Sequence, residues 1–128
     1  MDERELLYQI RGAIYDTYYA LGPGLLEKVY EDALTHFLTK RGLNVMRQVK
    51  VPIIIDGVEL DNPLYLDILV NNSIIIELKA VLEMKNIFHC QLLTYLRLSN
   101  LHRGVLVNFN TDNINESIWY KVNGYDTK

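Results

Sequence analysis

Three charged residues stand inside otherwise apolar, strand-like text. Asp67 lies in Leu64-Tyr65-Leu66-Asp67-Ile68-Leu69-Val70, and Glu77 and Lys79 lie in Ile74-Ile75-Ile76-Glu77-Leu78-Lys79. Side chains alternate between the faces of a strand, so Glu77 and Lys79 share a face. Whether Asp67 joins them depends on the turn. A three-residue loop, Asn71-Asn72-Ser73, pairs Val70 with Ile74 and sets Asp67 opposite Glu77 and Tyr65 opposite Lys79. A two-residue loop would pair Asp67 with Ile76 and turn Glu77 to the other face, unless a bulge compensated. Convergence therefore requires the odd loop or a bulge. Leu64, Leu66, Ile68, Val70, Ile74, Ile76 and Leu78 would then form the opposite, fully apolar face.

Two adjacent carboxylates repel and are costly to bury together. A divalent cation between them removes that cost, and oxygen ligands suit Mg²⁺ or Mn²⁺. Such an ion polarises a phosphoryl oxygen and acidifies a bound water. Lys79, two residues after Glu77, could orient that water or offset charge developing on the phosphate. The same three residues could also make a plain ion pair on a solvated sheet face. Their spacing alone does not choose between these readings.

The elements that must position these residues read clearly. Apolar residues at three- and four-residue spacing predict a helix over 3–20, carried by Leu6, Leu7, Ile10, Ala13, Ile14, Tyr18 and Leu21. Gly22-Pro23-Gly24 breaks it. A second helix is predicted over 25–41, with Leu26, Val29, Tyr30, Ala33, Leu34, Phe37 and Leu38 as its stripe and Gly42 past its end. Strands follow over 45–51, 64–70 and 74–79, with a hairpin turning at Asp56-Gly57. Pro52 ends the first strand or puts it at an edge. A helix over 84–99, marked by Ile87, Cys90, Leu93 (or Thr94) and Leu98, precedes a strand over 104–109 and a short one over 118–122. A strand after a crossover helix can lie parallel to an earlier one. The expectation is an α/β or α+β mixed sheet in a single domain, 1–128.

Composition narrows the function classes. Forty-nine per cent apolar and 23% charged residues suit a globular domain. Cys90 is the one cysteine, so no internal disulfide or zinc cluster is expected, and a reducing, cytoplasmic setting fits. No membrane-length apolar run or basic leader is visible. The net charge of −3 means that any hold on nucleic acid must be local or supplied by a cation. A second copy of so small a chain could be needed to cover a long substrate.

Asp67 with Glu77-Leu78-Lys79 resembles the PD-(D/E)xK nuclease signature. Gln91-Leu92-Leu93-Thr94-Tyr95 is similar to the Q-x-x-x-Y motif of RecB-like members. Gly24-Leu25-Leu26-Glu27-Lys28-Val29-Tyr30 is similar to the G-x-x-E-x-x-Y motif of a small bacterial family in the same superfamily. The resemblance spans about 6–120. It implies a restriction-endonuclease-like αβββαβ core preceded by a helical pair, and metal-dependent cleavage of nucleic acid, DNA above all. It implies metal ligation by Asp67, Glu77 and the Leu78 carbonyl, with Glu27 at the position of a further acidic ligand, Lys79 as catalytic lysine and Gln91 helping to fix the site. That family commonly carries an arginine two residues before the aspartate. Tyr65 stands there in this chain, a neutral hydroxyl in place of a cation.

Gln91 and Tyr95 are four apart and share a helix face. Gln91 could equally cap a strand carbonyl, and Tyr95 and Tyr30 could equally be core. Glu27, in a first turn, is favoured by the helix dipole with or without a metal, and Gly24 suits a tight turn. Cys90 reads as a small buried filler, and His36 and His102 as solvent-facing. Lys40, Arg41, Arg47 and Lys50 cluster near one turn, where they could meet phosphate or only solvent. The functional expectation is a Mg²⁺- or Mn²⁺-dependent nuclease. The alternative is a non-catalytic nucleic-acid- or protein-binding module on the same fold.

Overall fold

A computed structural model describes residues 1–124; the last four positions of the expected domain lie outside the described residues. α1 (Glu3–Leu21) begins where the Asp2 carboxylate accepts from the Glu5 amide at 2.8 Å, an N-cap bond. It ends at Gly22. α2 (Glu27–Lys40) is followed by Gly42 at φ +83°, as expected of a residue just past a helix. The strands are β1 (Val45–Val51), β2 (Ile54–Ile55), β3 (Val58–Glu59), β4 (Leu64–Val70) and β5 (Ile74–Lys79). α3 (Asn86–Ser99), β6 (Arg103–Asn108), a 3₁₀ turn (Ile114–Glu116) and β7 (Ile118–Val122) complete the described residues.

Five strands form one mixed sheet in the order β1-β4-β5-β6-β7. α3 carries the chain from β5 to β6, which lie parallel; every other neighbouring pair is antiparallel. β1 is an edge strand, and it stops at Val51, just before Pro52. β2 and β3 form a separate two-stranded ribbon with Ile54, Ile55 and Val58 exposed. α1 and α2 pack on one face of the sheet, where Ile10, Ile14, Tyr30 and Leu34 meet Ile68, Ile76, Val105 and Val107. α3 covers the other face, where Leu92 and Leu96 meet Leu69, Ile75 and Leu106.

The β4–β5 hairpin takes the odd loop. Asn71 and Asn72 both adopt positive φ, the Ser73 amide bonds back to the Val70 carbonyl, and Val70 pairs with Ile74. Asn tolerates the left-handed region better than most residues, which explains this pair at the turn.

One expected face is corrected. Leu64 and Leu66 do not lie with Ile68 and Val70. They pack on the α3 side, while Ile68 and Val70 pack on the α1/α2 side. β1 makes the same switch, with Val45 on the α1/α2 side and Val49 and Val51 on the α3 side. Between them Gln48, facing Asp67 in register, sits at φ +49°. The register is unchanged across this rung, so both strands turn over together without inserting a residue. Strict alternation cannot foresee a backbone residue outside the extended region.

The α3 stripe is also corrected. Ile87, Leu93 and Leu98 are exposed, and the buried line is Leu92 and Leu96, flanked by Phe88 and Tyr95. Apolar residues surround this helix, so periodicity alone leaves its phase open. Cys90, expected in the core, is consequently exposed. On α2, Leu26 and Val29 are exposed and the buried line is Tyr30, Leu34 and Leu38. His102, expected in solvent, is part-buried and its Nδ1 lies 2.7 Å from the Asn123 carbonyl oxygen.

A candidate metal-binding acidic site

Asp67 and Glu77 meet where β4 and β5 part. Their ladder runs only as far as Ile68 opposite Ile76. Beyond it, side chains take over from the backbone. The Asp67 amide donates to Glu77 Oε2 at 2.9 Å, and the Leu78 amide donates to Asp67 Oδ2 at 3.0 Å. Each carboxylate thus spends one oxygen holding the other strand. The two carboxyl groups also lie within hydrogen-bond reach of each other, so a protonated Glu77 donates to Asp67.

Glu77 is 4% exposed. Burial pushes its carboxyl up to about 9, and the neighbouring Asp67 charge adds to the push. Burial also raises Asp67, opposed by the Leu78 amide. Two acids held together away from water resist ionising together unless a cation joins them. Among the described residues neither forms an ion pair with a basic side chain. The plain ion pair between Lys79 and either acid is therefore not what the geometry shows. Lys79 Nζ rests over the Phe88 ring instead, 4.8 Å from its centre, a cation–π contact that holds the amine without neutralising it.

α3 brings Gln91 and Tyr95 to this side of the sheet. Gln91 Nε2 donates to the Tyr95 hydroxyl at 3.0 Å. Burial raises the Tyr95 phenol, and the charges of Glu77 and Asp67 raise it further, which places the ring within reach of both acids' field. α3 approaches this closely because Gly104 on β6 has no side chain. A Cβ there would stand 2.9 Å from Leu92 Cδ1.

Glu27 opens α2 and accepts from the Ala80 amide at 3.3 Å, just past Lys79. It stands at the end of β5 but does not close a three-acid cage. Among the described residues no group of three His, Cys, Asp or Glu is arranged to hold a metal. Tyr30 lies in the core. Its hydroxyl donates to the Gly22 carbonyl at 2.6 Å and accepts from the Leu25 amide, and its ring stacks on Phe109. It fastens the α1–α2 turn in which Gly24 adopts φ +101°. Tyr65 was expected beside Lys79. It is half exposed, paired with Lys50 of β1, and lies between Leu64 and Leu66, which point to the α3 side. The switch at the Gln48–Asp67 rung turns it away from the face where Lys79 meets Phe88.

Two contributors escaped the sequence reading. Glu31, buried one turn after Glu27, accepts from Arg47 Nε and Gln48 Nε2, both at 2.9 Å, and its charge acts on Asp67. A carboxylate beside the buried stripe position Tyr30 was the available signal. Asn108, also buried, exchanges two bonds with the Val81 backbone and so pins the chain just beyond Lys79. The basic residues near the helix-to-strand turn are partly spent inside the molecule. Arg47 pairs with Glu31 and Asp32, and Arg41 with Asp16.

A mixed sheet flanked by helices on both faces, with paired acids and a lysine where two central strands diverge, is the arrangement of the restriction-endonuclease-like fold. A family model described as the PD-(D/E)XK nuclease superfamily matches residues 4–120, and the chain belongs to that superfamily. No curated protein and no solved structure gives a significant match.

Proposed function

We propose that this protein is a divalent-cation-dependent nuclease that hydrolyses phosphodiester bonds in DNA. The observation that carries this reading is the convergence of a buried Glu77 and a half-buried Asp67 within hydrogen-bond reach of each other, with no basic side chain bridged to either among the described residues. That donor set fits Mg²⁺ or Mn²⁺, which take oxygen ligands. Asp67 and Glu77 would hold the ion, the Leu78 carbonyl is a third donor, and Glu27 is a further acid at the same end of β5. A bound ion would supply Lewis acidity toward a phosphoryl oxygen and make a bound water more acidic.

The chain's own residues do the rest. The two main-chain amides fix one oxygen of each carboxylate, and Glu77 would release the proton it holds when a cation arrives. Lys79, held on Phe88 and without an ion-pair partner among the described residues, places a positive charge beside the acids, where it orients the attacking water or meets negative charge on the phosphate. Gln91 and Tyr95, bonded to each other, hold the α3 side of the site. The order Gly24, Glu27, Tyr30, then Asp67, Glu77, Lys79, then Gln91, Tyr95 supports a reading of the chain as a member of the G-x-x-E-x-x-Y bacterial group with a Q-x-x-x-Y motif. In that reading Gly24 and Tyr30 are positioning residues, a role their turn-fastening contacts support. A nuclease of this kind suits the cytoplasm.

Cleavage of labelled single- and double-stranded DNA in Mn²⁺ and in Mg²⁺ tests the reading, with Lys79→Ala as the paired variant. Wild type should cut only with a divalent cation. Lys79→Ala should be at least about 100-fold slower, the scale of losing one charge-stabilising group. Equal rates for the two proteins would remove the claim.

A further inference from the structure

The outer face of α1 carries a second feature that the acidic site does not use. Arg4, Tyr8, Arg11, Tyr15 and Tyr19 recur at spacings of four and three, so they form one stripe along the helix. Tyr8 and Tyr19 are 65% and 73% exposed. Tyr120 of β7 adjoins the stripe, close enough for Arg11 and Tyr15 to act on its phenol. Large aromatic rings left this open on a globular surface call for a partner.

The charges on α1 are sorted. Its three acids are all engaged: Glu3 is bridged to Arg103, Glu5 accepts from Gln9, and Asp16 is bridged to Arg41. Its two arginines are not. Among the described residues neither Arg4 nor Arg11 has a carboxylate partner; Arg11 lies over the Tyr15 ring, 4.9 Å from its centre. In a chain of net charge −3, this face presents unpaired guanidinium groups interleaved with tyrosines.

At the middle of the stripe the surface is concave. Tyr8, Arg11, Gly12, Tyr15 and Arg41 line a cleft of about 160 Å³. Gly12 makes its floor. Glycine inside a helix is less favourable than alanine, so its use here needs a reason. A Cβ at Gly12 would stand 2.6 Å from the Arg41 guanidinium, which lies against the helix backbone and is fixed by Gln9 and Asp16. Three of the five guanidinium N–H groups are used in those bonds, leaving two to donate. The cleft is thus walled by two phenol rings and carries two guanidinium groups. It has the size of one nucleobase, not of a duplex.

We infer that this α1 face binds single-stranded nucleic acid, with an unpaired base against Tyr8 and Tyr15 and phosphate at Arg11 and Arg41. Stacking on aromatic rings beside arginines is the chemistry by which proteins hold single strands without reading sequence. The inference deepens the nuclease reading by naming the substrate class as single-stranded. The stripe leads toward the Gly22-Pro23-Gly24 turn and Glu27, which touches Ala80 beside the acidic site.

The test is fluorescence anisotropy of a labelled twenty-nucleotide oligothymidylate with the full chain in EDTA, where no cation bridges the acids. Arg11→Glu should weaken binding at least tenfold and Tyr8→Ala at least fivefold. Lys50→Glu, a charge reversal on β1, should change it less than twofold. A duplex of the same length should bind at least fivefold more weakly than the single strand. Circular dichroism confirms that α1 survives, which both exposed positions favour. Wild-type affinity in both α1 variants, equal affinity for duplex, or no binding by the wild type would each overturn the inference. Cleavage in Mn²⁺ is scored separately. A wild type that binds through α1 but never cuts sinks the nuclease reading alone. A wild type that cuts well while the α1 variants bind normally sinks this one alone.

Discussion

At the scale of single residues, the acids act in two ways that pull apart. Glu77 accepts the Asp67 amide, which supports the sheet, but its buried charge opposes Asp67. The two effects can be separated by substitution. Glu77→Gln keeps an oxygen for the amide and needs no proton taken up on folding, so at pH 8 without metal it should raise stability, by about 1–3 kcal/mol. Glu77→Ala leaves the amide without an acceptor and opens a cavity, and should lower stability by about 1–3 kcal/mol. Thermal melts of the two variants beside wild type check the ordering, and a glutamine variant that melts below the alanine one would contradict it. Both should lack cleavage. The same pair sets the pH dependence. In the unfolded chain Glu77 titrates near 4.5; in the folded one it titrates near 9. The folded state therefore holds a proton that the unfolded state has released. That contribution is complete below pH 4.5 and fades as pH rises toward 9. Metal-free protein should melt at progressively lower temperature from pH 5 to pH 9, and Mn²⁺ should raise the melting temperature more at pH 8 than at pH 5. A flat profile would show that the acids are not coupled as described.

At the scale of elements, two contacts decide whether the site forms. Gly104 lets α3 lie close on β6, with Leu92 filling the space a side chain would take. Gly104→Ala should push α3 outward, cost about 1–3 kcal/mol from overpacking, and slow cleavage through displaced Gln91 and Tyr95. A melt combined with kinetics would show whether both fall together. The β2–β3 ribbon behaves oppositely. It pairs only with itself, and Val51 and Leu64 at its base are already joined by the β1–β4 ladder. Replacing residues 53–60 with a short Asn-Gly link should leave the melting temperature within a few degrees, since loop length changes closure entropy slowly. A collapse of the fold on that excision would mean that the ribbon nucleates the β1–β4 pairing. Much of this layer was legible beforehand. Asn71-Asn72 announced a turn, Asp56-Gly57 the ribbon turn and Gly42 the helix stop, because each turn demands a residue type; of the odd loop and the bulge that convergence allowed, the chain takes the loop. The phase of α3 was not legible, because Ile87, Leu93 and Leu98 put apolar residues on its exposed side, next to Asn86 and Arg97. Nor was the reversal of Leu64 and Leu66, because it arises from one backbone angle at Gln48.

At the scale of the whole molecule, the element order followed from pattern, while the parallel crossover was allowed by it and the meeting of Asp67 with Glu77 was conditional on the odd loop or a bulge. Long-range partners did not. Glu31 reaches Arg47 and Gln48 across sixteen and seventeen residues of chain, and Lys79 finds Phe88 only once α3 has docked. No local spacing encodes such contacts. The overall negative charge now has a division behind it, with arginines free on the outside of α1 and acids concentrated where a cation can sit. The twist at Gln48 reaches further than the site. β1 is an open flank of the sheet, where unpaired amides invite a foreign strand. With Gln48 at φ +49° in its middle, that flank is cut into two runs of three residues, Val45–Arg47 and Val49–Val51, which face different ways. An intruding strand would lose its partner halfway. The bend opposite Asp67 therefore also keeps neighbouring molecules from zipping together along this border.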